Sequence, residues 1–229
     1  ETHASTWMIA TEVAGHSLFF IQAGWWFSID QFNAAVALFQ MALFSFFYHL
    51  CVLDIAPDAS HVAFLHGLDY TGIFGLTNMI FFEIIMLPDQ FAFPLWILLQ
   101  TFAILGNWML YNSGFLLFGA GLSYAVIFGI AVLHRQHTDE KELLWIYSLR
   151  YWYVLLIGII SLLGAVTVLF IGGNPGDNQY EPVHGGVWHF VANIPLALIM
   201  IFIVLQKKRD WRALKPFFFV FREKKQKQI

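Results

Sequence analysis

Seven apolar stretches, each about as long as a helix that crosses a bilayer, dominate this chain. They cover residues 7–27, 33–52, 66–87, 91–110, 113–133, 151–171 and 184–205. A helix needs about 20 apolar residues to cross roughly 30 Å of hydrocarbon. Only 12% of the residues are charged and 59% are hydrophobic, whereas about a quarter are charged in a soluble globular domain. The sequence therefore predicts an all-α, polytopic membrane protein with seven transmembrane helices.

The basic residues are confined to two segments. Of the twelve Lys and Arg residues, three lie between 135 and 150 and nine between 207 and 227. Seven spans put both segments on one side, and the preference of Lys and Arg for the inner side makes it the cytosol or matrix, with the N-terminus outside or lumenal. The chain thus divides into a transmembrane domain, 1–205, and a basic tail, 206–229. The tail is either a stop-transfer anchor or a segment lying on an anionic membrane surface, and we expect no nucleic-acid partner.

Three polar groups that are far apart in the sequence reach the same depth in this topology. Ser45 and His49 end the second span, Asp69 lies near the start of the third, and His184 and His189 begin the last. Ionisable groups in hydrocarbon are costly and often mark functional sites. Neutral imidazoles beside one carboxylate form a ligand set for Zn²⁺ in which a water molecule can be activated for hydrolysis. The sequence therefore predicts a zinc site near the outer leaflet.

The segments around these residues resemble three motifs of the CREST superfamily of seven-span membrane hydrolases. The segments are Ser45-Phe-Phe-Tyr-His49, Leu68-Asp-Tyr-Thr-Gly-Ile73 and His184-Gly-Gly-Val-Trp-His189. The superfamily includes alkaline ceramidases, adiponectin and progestin receptors, GPI-lipid remodelling factors and myomaker-like proteins. The resemblance implies a zinc-dependent hydrolase that cleaves an amide or ester of a membrane lipid. It also implies His49, His184 and His189 as zinc ligands, and Asp69 and Ser45 as catalytic residues.

The last motif departs from the family pattern, in which the two histidines are four residues apart. Here they are five apart, which on a regular helix separates them by about 140°. Gly185 and Gly186 permit an irregular helix start or a π-bulge that would bring both rings to one ion. Alternatively the site is lost, and the chain is a non-catalytic, CREST-like structural or accessory subunit of a larger membrane complex. A haem- or pigment-binding bundle with two axial histidines is a third interpretation.

Other ionisable residues in the spans receive simpler interpretations. Glu12 and His16 are four residues apart on the first span, so we expect them to form a structural pair; a position bordering the pocket is the alternative. His66 flanks the second connection and could approach the site. Glu83 lies fourteen residues beyond Asp69, about 21 Å deeper along a helix. That distance predicts that Glu83 takes no part in the site.

Overall fold

The computed structural model describes residues 6–51, 59–84, 87–110, 151–171 and 182–208, whose regular secondary structure is entirely helical. The helices are α1 (Thr6–Ser28), α2 (Phe32–Leu50), α3 (Ala59–Ile84), α4 (Asp89–Leu110), α5 (Trp152–Ile171) and α6 (Pro182–Lys208). A helix pairs its own backbone N–H and C=O groups, whereas hydrocarbon offers them no hydrogen-bond partner. The all-α prediction is confirmed for this part of the chain.

Three of these helices contain segments long and apolar enough to cross a membrane. These segments are Phe32–Leu50, Asp89–Trp108 and Val187–Leu205, and α5 contains a shorter apolar segment, Trp152–Ala165. Such helices are typical of a membrane protein. The fifth predicted span, 113–133, and the basic tail beyond Lys208 lie outside the described residues.

The order of helix packing brings the first and last helices together. Helix α1 packs against α2 and α6, α2 against α3, α3 against α4, and α5 against α6, while α3 also touches α6. A tight reversal joins α1 to α2: the Gln31 N–H donates to the Trp26 carbonyl over 2.9 Å. Asp30 in this reversal has a φ of 62°, a left-handed conformation that aspartate tolerates better than most residues. Helix α1 therefore contacts both α2 and α6, and α3 contacts both α2 and α6.

The interior and the surface of the bundle are both apolar, as expected for a protein in lipid. Trp26, Leu38 and Phe202 are wholly buried, whereas Phe102 and Ile160 are exposed on α4 and α5. Helices α2 and α3 approach closely at Gly72, where a Cβ atom would lie 2.9 Å from the Met41 Cα. Small residues permit such close packing of membrane helices. This approach holds the C-terminal half of α2 beside the N-terminal half of α3.

Candidate metal centre

Three helices contribute to one buried cluster of ionisable side chains, which consists of Glu12 and His16 from α1, His49 from α2 and His189 from α6. Glu12 is 1% exposed and His16 is 0% exposed. One nitrogen from each of the three histidines lies within 4.8 Å of the others. The His189 ring centroid is 4.0 Å from that of His16 and 4.6 Å from that of His49. We call the three histidines, His16, His49 and His189, the His3 cluster.

The dimensions of the His3 cluster suit a single metal ion. Zinc binds imidazole nitrogen at about 2.0–2.1 Å with tetrahedral geometry, which places two ligand nitrogens about 3.4 Å apart. Because the nitrogens already lie within 4.8 Å of one another, rotations of about 1 Å at the ring edge would bring them to that spacing. The rings would therefore have to move closer together to share one ion.

Hydrogen bonds already hold two of the rings in a tautomer that can bind a metal. The His16 Nδ1–H donates to the Glu12 carbonyl over 2.9 Å. Since a carbonyl oxygen only accepts, Nε2 of a neutral His16 keeps its lone pair. This Nε2 is buried and has no partner among the described residues. Metal-binding histidines almost always donate their other ring N–H to a carbonyl or carboxylate in this way.

The Glu12 carboxylate lies among all three imidazoles. The His189 Nδ1–H donates to Glu12 Oε2 over 3.1 Å, which leaves the lone pair on His189 Nε2. The His16 Nδ1 lies 3.5 Å from the same oxygen, and the His49 Nδ1 lies 3.6 Å from Oε1. Such a carboxylate fixes the orientation of a ligand histidine and raises its basicity.

Asp69 and Ser45 lie directly beside the His3 cluster. The Ser45 Oγ is 3.4 Å from His189 Nε2, and the Ser45 hydroxyl also hydrogen-bonds the Asp69 carboxyl group. A hydroxyl has only one proton to donate, so Ser45 cannot donate to His189 and to Asp69 at the same time. If an ion occupied His189 Nε2, the Ser45 hydroxyl would donate to Asp69. Asp69 Oδ1 is buried and has no partner in the described part of the chain. It can therefore accept a proton from a bound water molecule.

The charges around the cluster also favour a cation. Glu12 and Asp69 are both buried, and all twelve Lys and Arg residues fall in the two segments named above. Of the described residues, only Lys207 and Lys208 carry such a charge, at the far end of α6. Buried carboxylates without a compensating charge are costly in a low-dielectric interior. Without a cation, such groups would be protonated. A divalent cation on neutral imidazoles would balance both groups in their ionised form.

The structure brings together four of the five residues that the sequence selects: Ser45, His49, Asp69 and His189. The fifth, His184, lies in α6, but its side chain is outside the described residues. Helix α6 runs as an α-helix from Pro182 through both following glycines, so the expected irregular start or π-bulge is not present.

The third histidine of the cluster is His16, which the sequence had assigned to a pair with Glu12. Glu12 and His16 do contact each other, as predicted for a structural pair. They also contact His49 and His189, so the alternative, a position beside the site, applies together with the pair. Their shared outer depth was the only signal in the sequence, because nothing local indicates that α1 packs against α6.

His66, which the sequence suggested could approach the site, lies next to the cluster and not in it. Its ring stacks on Tyr48 with centroids 4.8 Å apart and meets Tyr70 edge-on at 4.7 Å. It is absent from the set of described side chains that can share an ion. His66 therefore serves as a nearby control histidine.

Comparison of the chain with protein-family models, curated proteins and solved structures finds no match. Its function must therefore be inferred from the chemistry of its side chains. In the described residues that chemistry is a buried group of three histidines, with two carboxylates, which could hold a metal ion inside an all-helical bundle.

Proposed function

We propose that this protein is a zinc-dependent hydrolase of lipid amides or esters, of the CREST type that its motifs resemble. The observation that supports it best is the convergence of His16, His49 and His189 beside the buried carboxyl group of Asp69. These three histidines would hold the ion, since imidazole is a preferred zinc ligand and no cysteine lies in the cluster. When bound, Zn²⁺ polarises a carbonyl group and lowers the pKa of a water molecule.

Asp69, Ser45 and Glu12 would each have a separate role beside the ion. Asp69 Oδ1, which has no partner among the described residues, accepts the proton of the attacking water and returns it to the leaving group as a general base and acid. The Ser45 hydroxyl orients Asp69 and is available to stabilise developing negative charge. Glu12 keeps His189 in the tautomer that leaves Nε2 free.

The position of the cluster fits a lipid substrate. We place the described helices in a bundle of seven spans with the N-terminus outside or lumenal and the C-terminus on the cytosolic or matrix side. The cluster then lies near the outer or lumenal headgroup level, because it joins the N-terminal half of α1 to the C-terminal end of α2. Ester and amide bonds of membrane lipids lie at that level. A lipid would reach the cluster laterally, between helices.

Metal content and lipid turnover of the purified protein test this proposal together. The protein, purified without chelator and reconstituted in vesicles, should contain about one zinc per chain, as expected for a three-histidine site. It should hydrolyse at least one member of a panel of amide- and ester-linked lipids. Chelation should abolish turnover and added zinc should restore it. Zinc-free protein without turnover would contradict the proposal, and a Soret band would indicate haem instead.

The orienting role of Glu12 gives a separate prediction. Glu12→Gln should weaken zinc binding by about 10- to 100-fold, the usual effect of removing a carboxylate that orients a ligand histidine. Glu83→Gln is the matched control because Glu83 is also buried but lies about 21 Å from Asp69 along α3. Competition with a fluorescent zinc chelator measures both affinities. Equal affinities in the two variants would show that Glu12 does not orient the ligands.

A further inference from the structure

The boundary between α1 and α2 lies directly beside the His3 cluster. On α2, Ser45 and His49 are about 40° apart around the helix, and both are buried at the cluster. Phe46 lies about 60° from His49, and Phe47 lies about 100° further in the same direction. Phe46 is partly exposed and Phe47 is 50% exposed. The surface of α2 therefore passes from the cluster to the outside of the bundle at Phe46.

Helix α1 shows the same change from buried to exposed side chains. Phe20, about 40° around α1 from His16, contacts Phe39 of α2 with ring centroids 5.4 Å apart, so this side of α1 faces α2. Val13 and Ser17 lie about 60° and 100° from His16 in that same direction. His16 is 0% exposed, whereas Val13 is 40% exposed and Ser17 is also exposed. The side of α1 that faces α2 thus leads from His16 to the surface.

The Phe46 ring lies next to His16 at this boundary. The two ring centroids are 5.5 Å apart, so Phe46 contacts an imidazole without exposed surface while it keeps exposed surface of its own. Phe19 also contacts His16, with centroids 6.3 Å apart, but Phe19 is 2% exposed and meets His189 at 5.9 Å. Of these two phenylalanines, Phe46 is the one that separates His16 from the outside of the bundle.

The side chains at this boundary suit a hydrocarbon chain. Val13, Phe46 and Phe47 are apolar, and Ser17 donates its hydroxyl proton to the Val13 carbonyl over 2.6 Å. A hydrated or charged group would lose hydrogen bonds to water against such a surface. A hydrocarbon chain loses none, and it gains dispersion contacts with the aromatic rings. The chemistry of the boundary therefore favours the acyl part of a lipid over its headgroup.

We propose that Phe46 controls the entry of a lipid acyl chain from the bilayer to the His3 cluster, between α1 and α2. This inference rests on the proposed function, because a hydrolase of membrane lipids is what requires such a route. Phe46 takes no part in the bond cleavage. Its ring limits the width of chain that reaches His16, so it determines which lipids are cleaved.

Photo-cross-linking tests this route without requiring zinc or hydrolysis. Zinc-free protein is reconstituted in phosphatidylcholine vesicles that contain phosphatidylcholine with a diazirine near the acyl carbonyl group. Mass spectrometry after irradiation locates the attached lipid. The wild type should be labelled at the exposed Val13 and Phe47 and scarcely at His16. Phe46→Ala should increase the labelling of His16 several-fold, because removal of the ring opens His16 to the acyl chain.

Phe19→Ala is the matched control, since it removes the same ring from the buried side of His16. It should leave the labelling of His16 at the wild-type level. Labelling of His16 in Phe46→Ala that equals the wild type, or an equal increase in Phe19→Ala, would overturn the proposal. Phe46→Leu keeps an apolar side chain between α1 and α2 and should give a smaller increase. It supplies the measurement should Phe46→Ala not fold.

Lipid turnover then distinguishes this inference from the proposed function. Phe46→Ala should raise kcat/KM for a lipid with a branched acyl chain several-fold relative to a lipid with a straight chain. Hydrolysis with an unchanged ratio would overturn the role of Phe46 and leave the hydrolase in place. Absence of hydrolysis in every variant, with His16 labelled in Phe46→Ala as expected, would contradict the hydrolase and still support the route.

Discussion

Replacement of His16 by alanine should remove both the bound zinc and the lipid hydrolysis. A zinc site that loses one of three protein ligands keeps only two, and its occupancy after purification should fall below about a tenth of an equivalent. His16 Nε2 is a buried lone pair without a partner in the described chain. Elemental analysis and turnover are measured on the same sample.

Two further histidine variants make this result specific. His66→Ala is the matched control, since His66 lies beside the cluster and stacks on Tyr48, and it should retain zinc and activity. His184→Ala separates the ligand set of the structure from the set that the motif resemblance implies. Retained zinc in His184→Ala with loss in His16→Ala supports the structural set. The reverse pattern would contradict the assignment of His16.

Most of the described helices could be predicted from hydropathy because each coincides with a long apolar stretch of the sequence. The first, second and sixth apolar stretches differ from α1, α2 and α5 by at most two residues at either end. Helix α3 is the exception: it begins at Ala59, seven residues before the predicted start at residue 66. A hydropathy window records where hydrocarbon begins, whereas a helix continues for as long as its backbone bonds are satisfied.

The site could be predicted only from the depth of each residue within its predicted span and from the spacing of residues along the sequence. Ser45, His49, Asp69 and His189 were selected because the alternation of the seven predicted spans would bring them to one depth. His16 was assigned to a pair with Glu12 because the four-residue spacing is visible in the sequence. Its approach to His189 depends on α1 packing against α6, a contact between the ends of the described helical bundle that no local pattern records.

Substitution of Asp69 by asparagine should separate zinc binding from catalysis. Asp69 lies beside the His3 cluster but is not one of the three histidines that can share the ion. Asparagine keeps the size of the side chain and its contact with Ser45, but it cannot accept a proton as a general base. We therefore expect normal zinc content and a turnover reduced by about 10²- to 10⁴-fold, the usual contribution of a general base.

Asp89→Asn provides the control for this experiment, because Asp89 begins α4 and bonds Asn33 through one carboxylate oxygen. It should leave both zinc content and turnover unchanged. Loss of zinc together with turnover in Asp69→Asn would make Asp69 a ligand and not a proton acceptor. Unchanged turnover would remove Asp69 from the mechanism, and the water molecule would then need another base. Glu12 is the other carboxylate among the described residues that reaches the histidines, so the turnover of Glu12→Gln at saturating zinc would be the deciding measurement.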